Sequence, residues 1–134
     1  MIKIAHIALS VSDIDKSISF YCKNFALKCT EKFHIESVGL KIAIIKNNKV
    51  SLELFEFKKY RVLPKYRKSL DSDLRTIGTK HVAFGLKDIR GAYNRLKRAK
   101  VKFATGIRVF ENGSKYFFIK DHDGILIEIM EENK

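Results

Sequence analysis

The chain has 134 residues, 46% apolar and 31% charged, with one proline and no low-complexity tract. That suits one folded globular domain, or two small halves sharing a core, and excludes a long disordered segment. The formal net charge is +12, yet 20 of the 27 cations are lysines spread along the whole chain, the pattern of a solvated surface rather than of a nucleic-acid interface.

The N-terminal MIKIAHIALSV carries a histidine in its apolar run and no cleavage site, so it reads as a strand and not a signal peptide. No stretch approaches the roughly 20 apolar residues of a membrane span. A soluble, cytoplasmic protein is expected. Cys22 and Cys29 fit neither a zinc knuckle nor a redox CxxC, and both are expected to be reduced, Cys22 as a small core residue.

In chain order, a strand is expected over about 2 to 11 and a helix over about 13 to 25. In that helix Ile14, Ile18, Tyr21, Cys22 and Phe25 fall on one face, and Asp13 stands at the N-cap. Strands are expected over about 29 to 37, 40 to 46 and 50 to 57, with KNNK at 46 to 49 as a turn. A connector spans 58 to 78. Then the order repeats: a strand over about 79 to 87, and a helix over about 88 to 100 capped by Asp88, with Ile89, Ala92, Tyr93 and Leu96 on one face. Strands follow over about 102 to 110, 114 to 120 and 125 to 131, punctuated by ENGS at 111 to 114 and DHDG at 121 to 124. The pattern is βαβββ written twice, an α+β arrangement of about 1 to 57 and 79 to 131.

The repeat is visible in the residues themselves. HIALSVSDI at 6 to 14 matches HVAFGLKDI at 81 to 89, and VSLELFE at 50 to 56 matches ILIEIME at 125 to 131. His6 and His81 stand 75 residues apart, and so do Glu53 and Glu128. Two anchors at one offset mark a duplicated unit. Strand residues alternate between faces. His6 therefore shares a face with Ile4 and Ala8, and His81 with Thr79, Ala83 and Gly85, which leaves room before each imidazole. A carboxylate inside an apolar strand is costly unless it has a partner. Imidazole and carboxylate are standard ligands for a divalent cation. If the units face each other, His6, Glu53, His81 and Glu128 converge on one point. His34 has no counterpart in the repeat, and His122 lies in a turn. No GxGxxG, phosphate loop or GxSxG is present.

With these residues in hand, the chain resembles the vicinal oxygen chelate superfamily, the glyoxalase/bleomycin resistance/dioxygenase group. The likeness runs from HIALSVSDI and SFYCKNFAL, through VSLELFEF and KHVAFGLKDI, to KYFFIKDHDGILIEIME. His122 stands where the family's DPDG turn carries proline. The resemblance implies two tandem βαβββ units forming a curled mixed sheet around one divalent metal, zinc, nickel, cobalt, manganese or iron, held by His6, Glu53, His81 and Glu128. It also implies a homodimer, and leaves open whether the site lies within one chain or between swapped units.

The superfamily hosts several chemistries. A fourth ligand at Glu53 resembles glyoxalase I and methylmalonyl-CoA epimerase, which move a proton on a carbon next to a carbonyl. The implied activity is that of a metal-dependent lyase or isomerase of glyoxalase I type. In it the metal stabilises a developing enediolate oxygen, and Glu128 and Glu53 serve as catalytic acid and base. The paired histidine common in the epimerases is missing, since Lys80 precedes His81. Other readings are an epimerase, a dioxygenase or thiol transferase of the same superfamily, and a metal-free small-molecule binding or resistance protein. The substrate implied is an anionic thiol adduct or thioester, with no nucleic-acid or membrane partner. KKYRVLPKYRK at 58 to 68 belongs to the connector, whose Arg61, Arg67 and Arg75 are candidates for substrate recognition. Tyr116 and Phe118 are candidates to line the pocket.

Overall fold

The computed structural model describes residues 1–132. The chain divides into two compact units, Met1–Val62 and Leu63–Lys134. The break falls inside the expected connector, so residues 63 to 78 belong with the second unit.

The first unit runs β1 (Ile7–Ser10), α1 (Ile14–Phe25), β2 (Lys28–Ile35), β3 (Leu40–Lys46) and β4 (Ser51–Phe57). Its four-stranded sheet has the order β1-β4-β3-β2, with β1 parallel to β4 and the other pairs antiparallel. Asp13 caps α1 by accepting from the Lys16 amide at 3.1 Å. Glu56 accepts from the Ile14 amide at 3.0 Å, so β4 satisfies a second orphan donor of the first turn. Ile14 and Tyr21 of α1 are fully buried, as are Ala43, Ile45, Leu52 and Leu54 on one face of the sheet. The opposite face carries Ala8, Glu53, Phe55, Ile42, Ile44 and Phe33, aligned by strand register and only half-buried or exposed.

The second unit runs α2 (Leu70–Arg75), β5 (Val82–Leu86), α3 (Ile89–Arg98), β6 (Lys102–Phe103), β7 (Arg108–Val109), β8 (Lys115–Lys120) and β9 (Leu126–Glu131). The sheet order is β5-β9-β8-β6, with β7 also paired to β8 and β5 parallel to β9. Asp88 caps α3 by accepting from the Gly91 amide at 2.9 Å. Leu96, Phe117, Ile119, Ile127 and Ile129 are buried to within 1%. The duplication holds at the level of register: Ala8 pairs with Glu53, and Ala83 with Glu128.

Three expectations need correction. The first and fifth strands begin at Ile7 and Val82, so His6 and His81 each sit one residue before a strand. The parallel partner explains this. β4 starts at Ser51 after a turn in which Asn47 Oδ1 accepts from the amides of Lys49 and Val50. β9 likewise starts at Leu126 after Asp121 Oδ1 accepts from the amides of Asp123 and Ile125. Residues before the histidines have no strand beside them, and Ile4 is 82% exposed.

The strand expected over 102 to 110 is broken into β6 and β7. The amides of Ala104 and Thr105 both reach the Phe118 carbonyl, and the Phe118 amide donates to Thr105 Oγ1 at 3.0 Å. A threonine side chain thus takes a rung that the backbone would otherwise supply. The connector, finally, is not an open loop. It holds a 3-10 turn at Lys65–Arg67 and the helix α2.

Candidate functional site

Each unit brings one histidine to one glutamate across its parallel strand pair. His6 Nε2 lies 3.0 Å from Glu53 Oε2. His81 Nε2 lies 2.9 Å from Glu128 Oε2. The geometry is the same in both units, but the surroundings differ. The His6 side chain is 49% exposed and that of Glu53 20%, against 18% for His81 and 10% for Glu128. Phe118, one strand over and nearly buried, sets its ring edge against the His81 imidazole, with centroids 4.9 Å apart at 87°. The His81 ring is therefore held between a carboxylate and an aromatic wall. Its Nδ1 is buried and makes no hydrogen bond to a described residue. An unpaired buried polar atom costs about 1–3 kcal/mol unless a water or ligand reaches it.

The donor set fits a divalent cation. Two ligands bound at right angles to one ion at roughly 2.0–2.2 Å stand about 2.8–3.1 Å apart, the separation seen in both pairs. The described structure presents the four residues as two pairs, however. No group of three or more His, Cys, Asp or Glu side chains is close enough to hold a metal among the described residues.

Two of the three connector arginines pair with carboxylates. Arg67 Nε donates to Asp73 Oδ1 at 2.9 Å, and its Nη2 donates to the Thr79 carbonyl at 3.2 Å. Lys80 Nζ lies 3.6 Å from the same Asp73 oxygen and donates to the Asp73 and Thr76 carbonyls. Asp73 is 1% exposed, so this cluster ties α2 to the segment that leads into His81. Arg75 pairs with Asp71 one helical turn away, at 3.3 Å and fully at the surface. Arg61 is exposed in the first unit. Tyr116 stacks on Phe110 with centroids 4.1 Å apart and turns its edge to Phe118. It lies on the same sheet face as Glu128, because Tyr116 pairs with Met130 and Phe118 with Glu128. His122 makes only a local contact with Asp123, and His34 lies on the exposed strand β2. No helix is long and apolar enough to cross a membrane among the described residues.

Sequence reasoning missed Asp73 and Lys80. Asp73 is one of two acids among the bases of the connector, beside Asp71, and neither it nor Lys80 falls on a periodic pattern.

Comparison with known proteins agrees with this architecture. A curated protein of Escherichia coli (strain K12), "Uncharacterized protein YaeR", is 32% identical over 133 residues, 97% of this chain and 96% of that one. Among solved structures, the glyoxalase family protein from Enterococcus faecalis superposes with a TM-score of 0.82 at 22% identity, covering 96% of this chain and 97% of the other. The trypanothione-dependent glyoxalase I of Leishmania major superposes with a TM-score of 0.76 at 20% identity, covering 98% and 88%. At these identities the two structures speak for the fold alone. Residues 3–129 match the family model, and the chain belongs to the Glyoxalase/Bleomycin resistance protein/Dioxygenase superfamily.

Proposed function

We propose that the protein is a metal-dependent lyase or isomerase of glyoxalase I type, acting on a small molecule with an acidic C–H next to a carbonyl. One observation carries this reading: the same Nε2–Oε2 pair occurs at the same register in both units, at 3.0 Å and 2.9 Å. A single buried histidine–glutamate pair is ordinary. Its duplication at the same strand register argues for a ligand common to both.

His6, Glu53, His81 and Glu128 are the proposed ligands of one divalent ion, which is zinc, nickel, cobalt, manganese or iron. When bound, the ion supplies Lewis-acid stabilisation at the substrate oxygen next to the reacting carbon. The chain does the rest. The Glu128 and Glu53 carboxylates take a proton from that carbon and return one to its neighbour, one glutamate acting as base and the other as acid. Phe118 fixes the His81 ring and keeps water from one side of it. Ligation uses the neutral imidazole at both histidines. An anionic handle on the substrate draws support from Arg61 only, because Arg67 and Arg75 are engaged with Asp73 and Asp71. A homodimer in the cytoplasm completes the proposal; two free cysteines suit a reducing compartment.

A second reading has an observation of its own. Each histidine already has a carboxylate partner within its own unit, at 3.0 Å and 2.9 Å. That favours a metal-free small-molecule binder on the same scaffold. Metal content per chain separates the two. The full chain is stripped with chelator and reloaded with nickel, zinc, manganese or ferrous iron, beside Glu53→Gln and Glu128→Gln. About one ion per chain, weakened in both variants, supports the enzyme reading and justifies assays on hemithioacetals and acyl thioesters. No uptake of any of the four ions leaves the binder.

A further inference from the structure

An open cleft of about 850 Å³ lies within the second unit, lined by Gly85, Phe110, Asn112, Ser114 and Met130 with the carboxylates Glu111, Glu131 and Glu132. A volume of this size is ample for a small organic molecule. Its position follows from strand register. Ala83 pairs with Glu128 and Gly85 with Met130, so the cleft continues along the face that carries the His81–Glu128 contact. Tyr116 pairs with Met130 on that face, and Phe110 stacks on Tyr116, which makes a flat aromatic wall backed by a second ring. Met130 supplies an adaptable apolar floor.

The absence of a side chain at Gly85 shapes the cleft. A Cβ there would come within 3.0 Å of Glu132 Cγ and 3.3 Å of its Oε1. The Glu132 side chain therefore folds back over β5 into space that any other residue would fill.

The charge of the lining runs against that of the chain. The protein has 27 lysines and arginines and only 15 acidic residues. Yet three of the acids border this one cleft, and among the described residues no cation does. The Glu111, Glu131 and Glu132 carboxylates make no ion pair or hydrogen bond among the described residues. Carboxylates left unpaired beside apolar and aromatic walls, in a protein so rich in cations, complement a positive charge on an apolar body.

We propose that this cleft binds a small organic cation: an ammonium or guanidinium group carried on an aromatic or alkyl body, with the charge at Glu111 and Glu132 and the body against Phe110 and Met130. If the metal reading also holds, the cation is part of the substrate, placed along the sheet from the reacting carbon. The cleft itself needs no metal.

The test uses three probes of one shape on the full-length protein: 4-phenylbutylammonium, 4-phenylbutanol and 4-phenylbutyrate. Binding is followed by amide NMR shifts at Gly85, Asn112 and Ser114, with and without chelator. The cation is expected to bind about tenfold more tightly than the neutral alcohol, and the anion more weakly than either. Glu111→Gln with Glu132→Gln is expected to bring the cation to the level of the alcohol, and added salt to narrow the gap. Gly85→Ala, which displaces the Glu132 carboxylate, is expected to weaken the cation more than the alcohol. Equal binding of all three probes, a preference for the anion, or shifts confined to other residues would overturn the proposal. Loss of metal binding would not touch it, and its failure would leave metal stoichiometry unchanged.

Discussion

The cluster around Asp73 gives a prediction that can be worked from its parts. Asp73 is buried, while the Arg67 and Lys80 side chains are 35% and 19% exposed. Asp73→Ala removes one charge-assisted hydrogen bond, worth about 1.5–3 kcal/mol. It also leaves two cations without their carboxylate. Both reach solvent in part, and Lys80 keeps its two backbone carbonyls. The cost therefore stays below the roughly 3–5 kcal/mol of breaking a fully buried pair. The expected loss is about 2–3 kcal/mol. Arg67→Ala is expected to cost about 2 kcal/mol, because Asp73 then keeps only the longer contact to Lys80. The two changes share one bond, so the double variant should fall short of the sum by about 1–2 kcal/mol. Urea unfolding followed by circular dichroism reads all four corners of the cycle, with the midpoint shifting at constant slope. A loss under about 0.5 kcal/mol for Asp73→Ala, or an additive cycle, would refute the reasoning. A selective loss of ligand affinity in Arg67→Ala, with stability intact, would restore this arginine to substrate recognition.

Three further outcomes are expected. Phe117→Ala should cost about 3–5 kcal/mol in thermal or urea unfolding, because the ring is fully buried, stacked on Phe103 at 5.5 Å and edge-on to Tyr93 at 5.3 Å. Asp13→Ala and Asp88→Ala should each cost about 1 kcal/mol by the same measurement, since each removes the side-chain cap of a helix. With a maleimide near neutral pH, Cys29 should label well before Cys22, as read by mass spectrometry of the digested protein. Burial holds the Cys22 thiol above its ordinary value and so keeps it protonated, whereas Cys29 is exposed.

Much of the scaffold was legible because its signals are periodic or repeated. Ile14, Tyr21 and Leu96 announce helix faces by spacing, and Asp13 and Asp88 announce their starts. The 75-residue offset in the sequence paired His6 with His81 and Glu53 with Glu128. It could not say which histidine meets which glutamate. That depends on which strands lie side by side, and the parallel partners β1·β4 and β5·β9 are set by packing. The break between β6 and β7 was hidden because Thr105 is a good strand former by type; only its hydroxyl, accepting from the Phe118 amide, ends the ladder. The contact of Arg67 with Asp73 was equally hidden, since a basic loop residue looks the same whether it faces solvent or a buried aspartate six residues on. The acidic cleft was out of reach altogether. Gly85, Phe110 and the Met130–Glu132 stretch come from three separate segments and share no spacing.

The parallel strand pair has a kinetic consequence. In each unit the histidine stands 47 residues from its glutamate, and everything between them must be laid down before they meet. Such contacts raise the contact order of the unit and form late, after the helix and the antiparallel hairpin strands, which need only local closure. The histidine–glutamate contact is then the closing clasp of each half. An unfinished unit, or one whose parallel strand has come loose, does not present its donor pair.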